Sequence, residues 1–203
     1  MTTEREVALE DRLSGQFVPA KLLERIDVAY ARRTDDLWVT FLAAEAAKLQ
    51  VNGVTLLPPQ HSHWRWGRKV AIVAHLLPYP TLAIEFEGDA QGLMLLETDG
   101  KFGLLPAQIG KPLVYVVFLA TAPWNLPAVV QRPRFRGVGS VLMRAAVEMS
   151  VDLGFKGRIG LHSLPQSEKF YEGIGMTALG RDLDKENLNY CEMTPEQAMA
   201  FLL

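Results

Sequence analysis

The segment that begins at Pro112 constrains the fold more than any other part of the chain. Pro112 to Gln131 is a run of 20 residues without a charge. Its first half, Leu113 to Ala120, is β-branched and aromatic with no polar alternation, which predicts a strand buried on both faces. The run is about as long as a membrane span. Pro123, Asn125 and Pro127 crowd its second half, so a strand followed by a loop is the prediction. Gly137 and Gly139 come next. Behind them Val138, Val141, Leu142, Ala145 and Met149 fall on one helical stripe, closed by Gly154 as a C-cap. Arg158 to Leu164 then predicts another strand. A strand that passes through a glycine turn into a helix and back to a strand calls for a parallel pair in a helix-covered sheet.

The glycine turn also carries chemistry. A helix start offers unpaired N–H groups and a partial positive charge. Glycines beside it let a phosphate approach the backbone closely. Arg134, Arg136, Gly137 and Gly139 supply both glycine and positive charge. No Gly-Lys-Ser/Thr follows, and position 142 is Leu142 rather than a third glycine, so neither a P-loop nor a dinucleotide fingerprint is present. A tight strand-to-helix turn with solvated arginines would account for the same residues.

Around this unit the chain alternates elements. Asp35 to Gln50 predicts a helix, with Trp38, Phe41, Leu42, Ala46 and Leu49 at helical spacing. A second helix is expected over His61 to Leu77, before Pro78 and Pro80. Thr81 to Glu87 alternates, Leu82, Ile84 and Phe86 facing one way and Ala83, Glu85 and Glu87 the other. With a turn at Gly88-Asp89 and a strand over Ala90 to Thr98, it predicts a hairpin. Pro165 to Glu172 predicts a short helix. Met176 to Gly180 and Asn187 to Met193 predict strands. Thr194, Pro195 and Gln197 predict a terminal helix opened by a capping box. Residues 1–79 are expected to be mainly helical, and Phe17 to Val18 is a poor candidate for a first strand.

Arg134-x-x-Gly137-x-Gly139 resembles the [Q/R]-x-x-G-x-[G/A] motif of the GNAT superfamily of acyl-CoA-dependent N-acyltransferases, and Lys169 to Met176 (KFYEGIGM) resembles that family's tyrosine-containing segment after its fifth strand. The resemblance covers roughly residues 80–193 and implies one α/β domain over 1–203. Its central mixed sheet would be splayed between strands four and five, here Leu113–Ala120 and Arg158–Leu164. Helices would flank it, with 1–79 as a mainly helical N-terminal extension and 80–203 as the acyl-CoA-binding core. It also implies an acetyl-CoA or related short acyl-CoA co-substrate. The pyrophosphate would lie on Arg134, Phe135, Arg136, Gly137, Val138, Gly139 and Ser140, and the pantetheine arm along Phe118, Leu119, Ala120 and Thr121. Tyr171 would protonate the departing thiolate. The acceptor would be a primary amine whose identity the residues do not disclose. The competing expectation is a non-catalytic acyl-CoA-binding sensor or interaction module. Three departures stand out. Thr121 to Pro133 is a longer connection than usual. Leu164 replaces an asparagine many members carry seven positions before the tyrosine. The N-terminal 79 residues exceed the usual strand and two helices.

The remaining candidates have plainer readings. Glu85 and Glu97 are candidate general bases, but either suits a solvated strand face. His162 suits a satisfied sheet histidine better than a base. His61, His63 and His75 lack a cysteine or a well-spaced acid, so no metal is expected. Trp64 and Trp66 alternate with Arg65, Arg68 and Lys69, a pattern compatible with nucleic acid. A net charge of −2 argues against a dedicated nucleic-acid binder, and an amphipathic helix with inward tryptophans explains it as well. The single cysteine, Cys191, precludes an intrachain disulfide and fits a reducing cytoplasm. The charged N-terminus shows no apolar stretch, so a secretory signal is not expected there. No membrane association is expected, and a homodimer is left open.

Overall fold

Two units, each with its own core, emerge from the computed structural model, which describes residues 2–51 and 53–203. Among the described residues nine strands form a mixed sheet, accompanied by five α-helices.

The first unit comprises Met1–Leu76, Thr81–Leu93 and Leu119–Gly139. It opens with a hairpin, β1 (Thr3–Asp11) and β2 (Gln16–Glu24), paired antiparallel along its full length. This corrects the expectation that 1–79 is mainly helical, which holds only beyond Asp27. The sequence Thr3 to Asp11 carries Glu4, Arg5, Glu6, Ala8, Leu9 and Glu10, helix formers by propensity, and most of it is exposed. Strand geometry is imposed by partners: β1 pairs with β2 and, at Asp11, with Phe135 of β6 (Phe135–Arg136), while β2 in turn pairs with β3 (Thr81–Phe86), Leu22 opposite Ile84. The strand order here is β6-β1-β2-β3-β4, with β4 at Asp89–Glu97. The β3–β4 turn sits at Glu87-Gly88, φ +53° and +88°, one residue earlier than expected. Helix α1 (Val28–Val51) starts seven residues before the predicted position because Asp27 Oδ1 accepts the Tyr30 N–H, an N-cap. Helix α2 (Trp66–Val73) is shorter than predicted. Asp35 of α1 caps it, its two carboxylate oxygens accepting the N–H groups of Trp66 and Gly67 at 2.8 Å. A Cβ at Gly67 would stand 2.5 Å from Arg32 Cγ, so glycine permits this close crossing.

The second unit comprises Leu77–Pro80, Met94–Phe118 and Ser140–Leu203. Its strands run β5-β7-β9-β8: β5 (Val114–Thr121), β7 (Ile159–Ser163), β9 (Leu188–Met193) and β8 (Thr177–Asp182). The β5–β7 pairing is the expected parallel one; the others here are antiparallel. The charge-free run is thus a strand and a loop, and no helix among the described residues is long and apolar enough to cross a membrane. β5 is not buried on both faces, however. Val114, Val116 and Ala120 are buried while Tyr115, Val117, Phe118 and Leu119 are half-exposed. Helix α3 (Val138–Asp152) buries Leu142, Met143, Ala146 and Val147 completely, so its core stripe is broader than predicted and leaves Met149 at its margin. Its end is a Schellman turn: Gly154 (φ +78°) donates to Val151 O and Phe155 to Ser150 O. Helix α5 (Pro195–Leu202) begins with the expected capping box between Thr194 and Gln197.

Candidate functional site

The glycine turn is held from behind by buried polar groups of the first unit. Gln91 on β4 is nearly inaccessible, and its side-chain oxygen accepts from Trp124 Nε1 (2.8 Å) and Asn125 Nδ2 (3.1 Å). Its carbonyl accepts the Ala122 N–H. Asn125 Oδ1 in turn accepts the Phe135 N–H (3.0 Å), and Trp124 O accepts the Arg134 N–H. Arg134 O accepts from Arg12 in the first hairpin's loop. Each of these buried groups is satisfied, and together they tie the long Thr121 to Pro133 connection and both entry residues of the turn to β4. The sequence hinted at this only through Asn125 and Gln91, polar residues inside apolar stretches.

Gly137 follows, exposed, with φ +84°. Nothing stands within 4 Å of where its Cβ would be, so the backbone angle, not lack of space, favours glycine. Val138 is buried as the first residue of α3, and Gly139 and Ser140 are half-exposed beside it. The two arginines differ. The Arg134 guanidinium lies over the rings of Phe86 (4.9 Å) and Phe135 (5.0 Å) and meets Glu87 at 3.5 Å. The Arg136 side chain is 67% exposed and only loosely paired with Glu10 at 3.9 Å. A pair of that kind contributes about 0–1 kcal/mol.

The other motif residues lie on β5 and on helix α4 (Glu168–Gly173). Parallel pairing of β5 with β7 extends over three residue pairs, Val114–Ile159 to Val116–Leu161, and stops. Val117 and Phe118 continue β5 beyond it, followed by Leu119, buried Ala120 and Thr121. Tyr171 is buried, its ring edge-on to Phe170 at 5.1 Å. Burial, and then the Cys191 sulfur, push its phenol far above the ordinary range, so the hydroxyl keeps its proton at neutral pH. After it the chain makes another Schellman turn. Gly175 (φ +87°) donates to Glu172 O and Met176 to Tyr171 O.

The candidate bases are placed as follows. Glu85 lies across from Lys21, and burial and then Glu85 itself raise the phenol of Tyr30. Glu97 accepts from Tyr79 Oη at 2.9 Å and pairs with Lys101 at 3.3 Å. His162 lies between Tyr115 Oη (2.6 Å to Nδ1) and Asp182 Oδ2 (3.0 Å to Nε2). Tyr115 and Asp182 were not singled out in the sequence, because no spacing rule joins positions this far apart. Trp66 is buried, as an inward tryptophan should be, and Lys69 stands over the Trp64 ring at 5.1 Å. Burial lowers Lys69 to about 8. His61 lines a small pocket with Trp38, Leu42, Trp64, Pro123 and Leu126, and burial lowers it to about 4. Among the described residues no group of three His, Cys, Asp or Glu side chains could hold a metal ion.

No protein-family model matches the chain, and no curated protein matches it. Solved structures do. The GNAT domain of S. lividans PAT is similar over 94% of this chain and 96% of that one, with a TM-score of 0.55 and 17% identity. FeeM, an N-acyl amino acid synthase from uncultured soil microbes, is similar over 99% and 97%, with a TM-score of 0.52 and 13% identity. A GNAT-family acetyltransferase from Listeria monocytogenes is similar over 93% and 99%, with a TM-score of 0.50 and 14% identity. The chain has the fold of the GNAT acetyltransferases.

Proposed function

We propose that the protein is an acyl-CoA-dependent N-acyltransferase that moves an acetyl or other short acyl group to a primary amine. The observation that carries this reading is the turn at Gly137. Its left-handed backbone leads directly into α3, is exposed, and is anchored by the Gln91, Trp124 and Asn125 network. The turn suits a pyrophosphate. The backbone of Gly137 to Ser140 offers N–H donors at the positive end of a helix, and Arg136 adds a cation with little else to bind. Phe118, Leu119, Ala120 and Thr121 would present strand-edge backbone groups to the pantetheine amides, as a sheet edge does to a peptide.

Acyl-CoA supplies the thioester. The amine's lone pair attacks the carbonyl carbon, the C–N bond forms, the C–S bond breaks, and the surplus proton on nitrogen leaves to a general base, directly or through water. Tyr171 retains its proton at neutral pH and is assigned the role of delivering it to the leaving sulfur. A cytoplasmic setting accords with the free, buried Cys191.

Calorimetry with CoA, combined with turnover of acetyl-CoA in the presence of primary amines, tests the reading. CoA binding with turnover is expected. CoA binding without turnover on any amine would replace the enzyme by an acyl-CoA sensor or interaction module. Absence of CoA binding would overturn both.

A further inference from the structure

One face of the second unit's sheet carries a hydrogen-bonded line of side chains to which no role has been given. Tyr115 on β5 lies opposite Gly160 on β7, and His162 is two residues further along β7. Strand alternation therefore brings Tyr115 and His162 to the same face. Tyr190 lies opposite His162 across β9, its ring 4.8 Å away. Asp182, at the end of β8, closes the line. Gly160 clears the lane between them, since a Cβ there would stand 2.8 Å from Tyr190 Oη.

The contacts assign the protons. The Asp182 carboxylate only accepts, so His162 Nε2 bears the hydrogen across their 3.0 Å contact. The lone pair on Nδ1 then accepts from the Tyr115 hydroxyl at 2.6 Å. The result is a hydroxyl, a neutral imidazole and an orienting carboxylate in sequence, the arrangement that lets a hydroxyl gain and lose a proton readily. Burial lowers the pKa of His162, outweighing the nearby Asp182, which raises it; Lys185 and Lys101 lower it further. Tyr115 is pushed up to about 12, first by burial and then by the charges of Glu97 and Asp182. Lys101 Nζ lies 5.3 Å from the Tyr115 ring centre, where it would steady a developing phenolate. Glu97 is engaged by Tyr79 and Lys101. Burial and then Glu192 raise the phenol of neighbouring Tyr190, and Glu192 already accepts from Leu105 N and Gln108 Nε2.

We propose that Tyr115, His162 and Asp182 form the proton-accepting arm of the acyl transfer. The inference rests on the acyltransferase reading and names the base that reading lacks. As the C–N bond forms, the amine nitrogen gives its proton to Tyr115 Oη while Tyr115 passes its own to His162 Nδ1. The imidazolium so formed is balanced by Asp182, and the proton later leaves to water. Tyr115 is the catalytic residue of the three, His162 stores the proton, and Asp182 is a positioning residue. Tyr115 stands one residue before the last β5–β7 pair, beside the point where the two strands cease to pair.

The test uses the full chain with acetyl-CoA and a set of free primary amines (ethanolamine, tyramine, spermidine and glycinamide). Tyr115→Phe keeps the ring and removes the proton carrier, so kcat should fall about 10²-fold. Asp182→Asn removes the charge that raises the His162 pKa. The acid limb of kcat should therefore move to lower pH by about one unit. Nitrogen-15 NMR titration of His162 should move by the same amount, whereas a merely structural contact would shift the NMR midpoint and leave the kinetic limb in place. Asp182 is partly exposed, so this variant decides the matter even if Tyr115→Phe fails to fold. An active parent with an unchanged kinetic limb in Asp182→Asn overturns the relay and leaves the acyltransferase reading standing. A parent that binds CoA and turns over none of the amines removes both.

Discussion

Gly137 and Gly175 belong to the two motifs that point to the same chemistry, and both hold left-handed backbone, φ +84° and +87°, with open space where a Cβ would stand. They differ in what requires them. Gly175 ends α4: its own N–H and that of Met176 satisfy two carbonyls of the last turn, those of Glu172 and Tyr171. Helix termination alone therefore explains why a glycine and then a buried Met176 stand four and five residues after Tyr171. Gly137 precedes a helix, where an extended residue would serve as well. Its left-handed backbone answers no need of α3 itself, and the buried network behind it holds Arg134 and Phe135 in place. The Gly137 motif thus carries more information about a ligand than the Tyr171 motif, whose spacing is partly a folding signal.

The largest effect that could break this contrast is at Tyr171. If the phenol is the proton donor, Tyr171→Phe should lower kcat about 10²-fold, the lower end for general acid catalysis, or about 3 kcal/mol of barrier. CoA affinity should survive, because the ring and its contact with Phe170 remain. An unchanged kcat, with chemistry rate-limiting, would leave Tyr171 as a packing residue only.

Next in size is Gly139→Glu, which brings bulk and negative charge to the start of α3. Calorimetry should show CoA affinity reduced at least about tenfold, roughly 1.4 kcal/mol. A folded variant that binds CoA like the parent would remove the phosphate role from this turn.

Paired alanine substitutions sharpen the comparison directly. Gly137→Ala and Gly175→Ala should each cost about 1–2 kcal/mol of stability in thermal unfolding, because both force a Cβ into left-handed backbone. Only Gly137→Ala should also weaken CoA binding. Equal loss of affinity in both would show that the two glycines do not divide as proposed.

The smallest effect separates the two arginines. Arg136→Ala should weaken CoA binding a few-fold at low salt and lose that difference at high salt, since exposed charges are screened. Arg134, held over Phe86 and Phe135 and against Glu87, should act mainly through local packing, so Arg134→Ala should lower the melting temperature more than Arg136→Ala does. The reverse ranking in both measurements would contradict the roles read from their surroundings.

Most elements from Thr81 onward were legible because their signals are local, whereas the two-residue β6, which exists only through its pairing with β1, was not. Alternation marked β3, the uncharged β-branched run marked β5, and Thr194 with Gln197 marked the start of α5. The first hairpin was illegible because its charged, exposed strand has helical propensity, and only pairing with β2 and β6 overrides it. Of the candidate site, Gly137 and Tyr171 could be picked out by spacing. The Gln91–Trp124–Asn125 support and the Tyr115–His162–Asp182 line could not, since each depends on side-chain contacts between residues 33 to 47 positions apart or 20 apart.

By itself the sequence determined most of the turns, strands and helices beyond Asp27, because glycine angles, caps and hydrophobic period act within a few residues of one another. Only the tertiary structure decided which polar side chains meet. A hydrogen bond depends on distance and direction to within a few tenths of an ångström, and strands remote in sequence reach that precision only after register and packing are set. That is why His162 could be read from the sequence as a histidine satisfied in a sheet, while the identity of its two partners had to come from the fold.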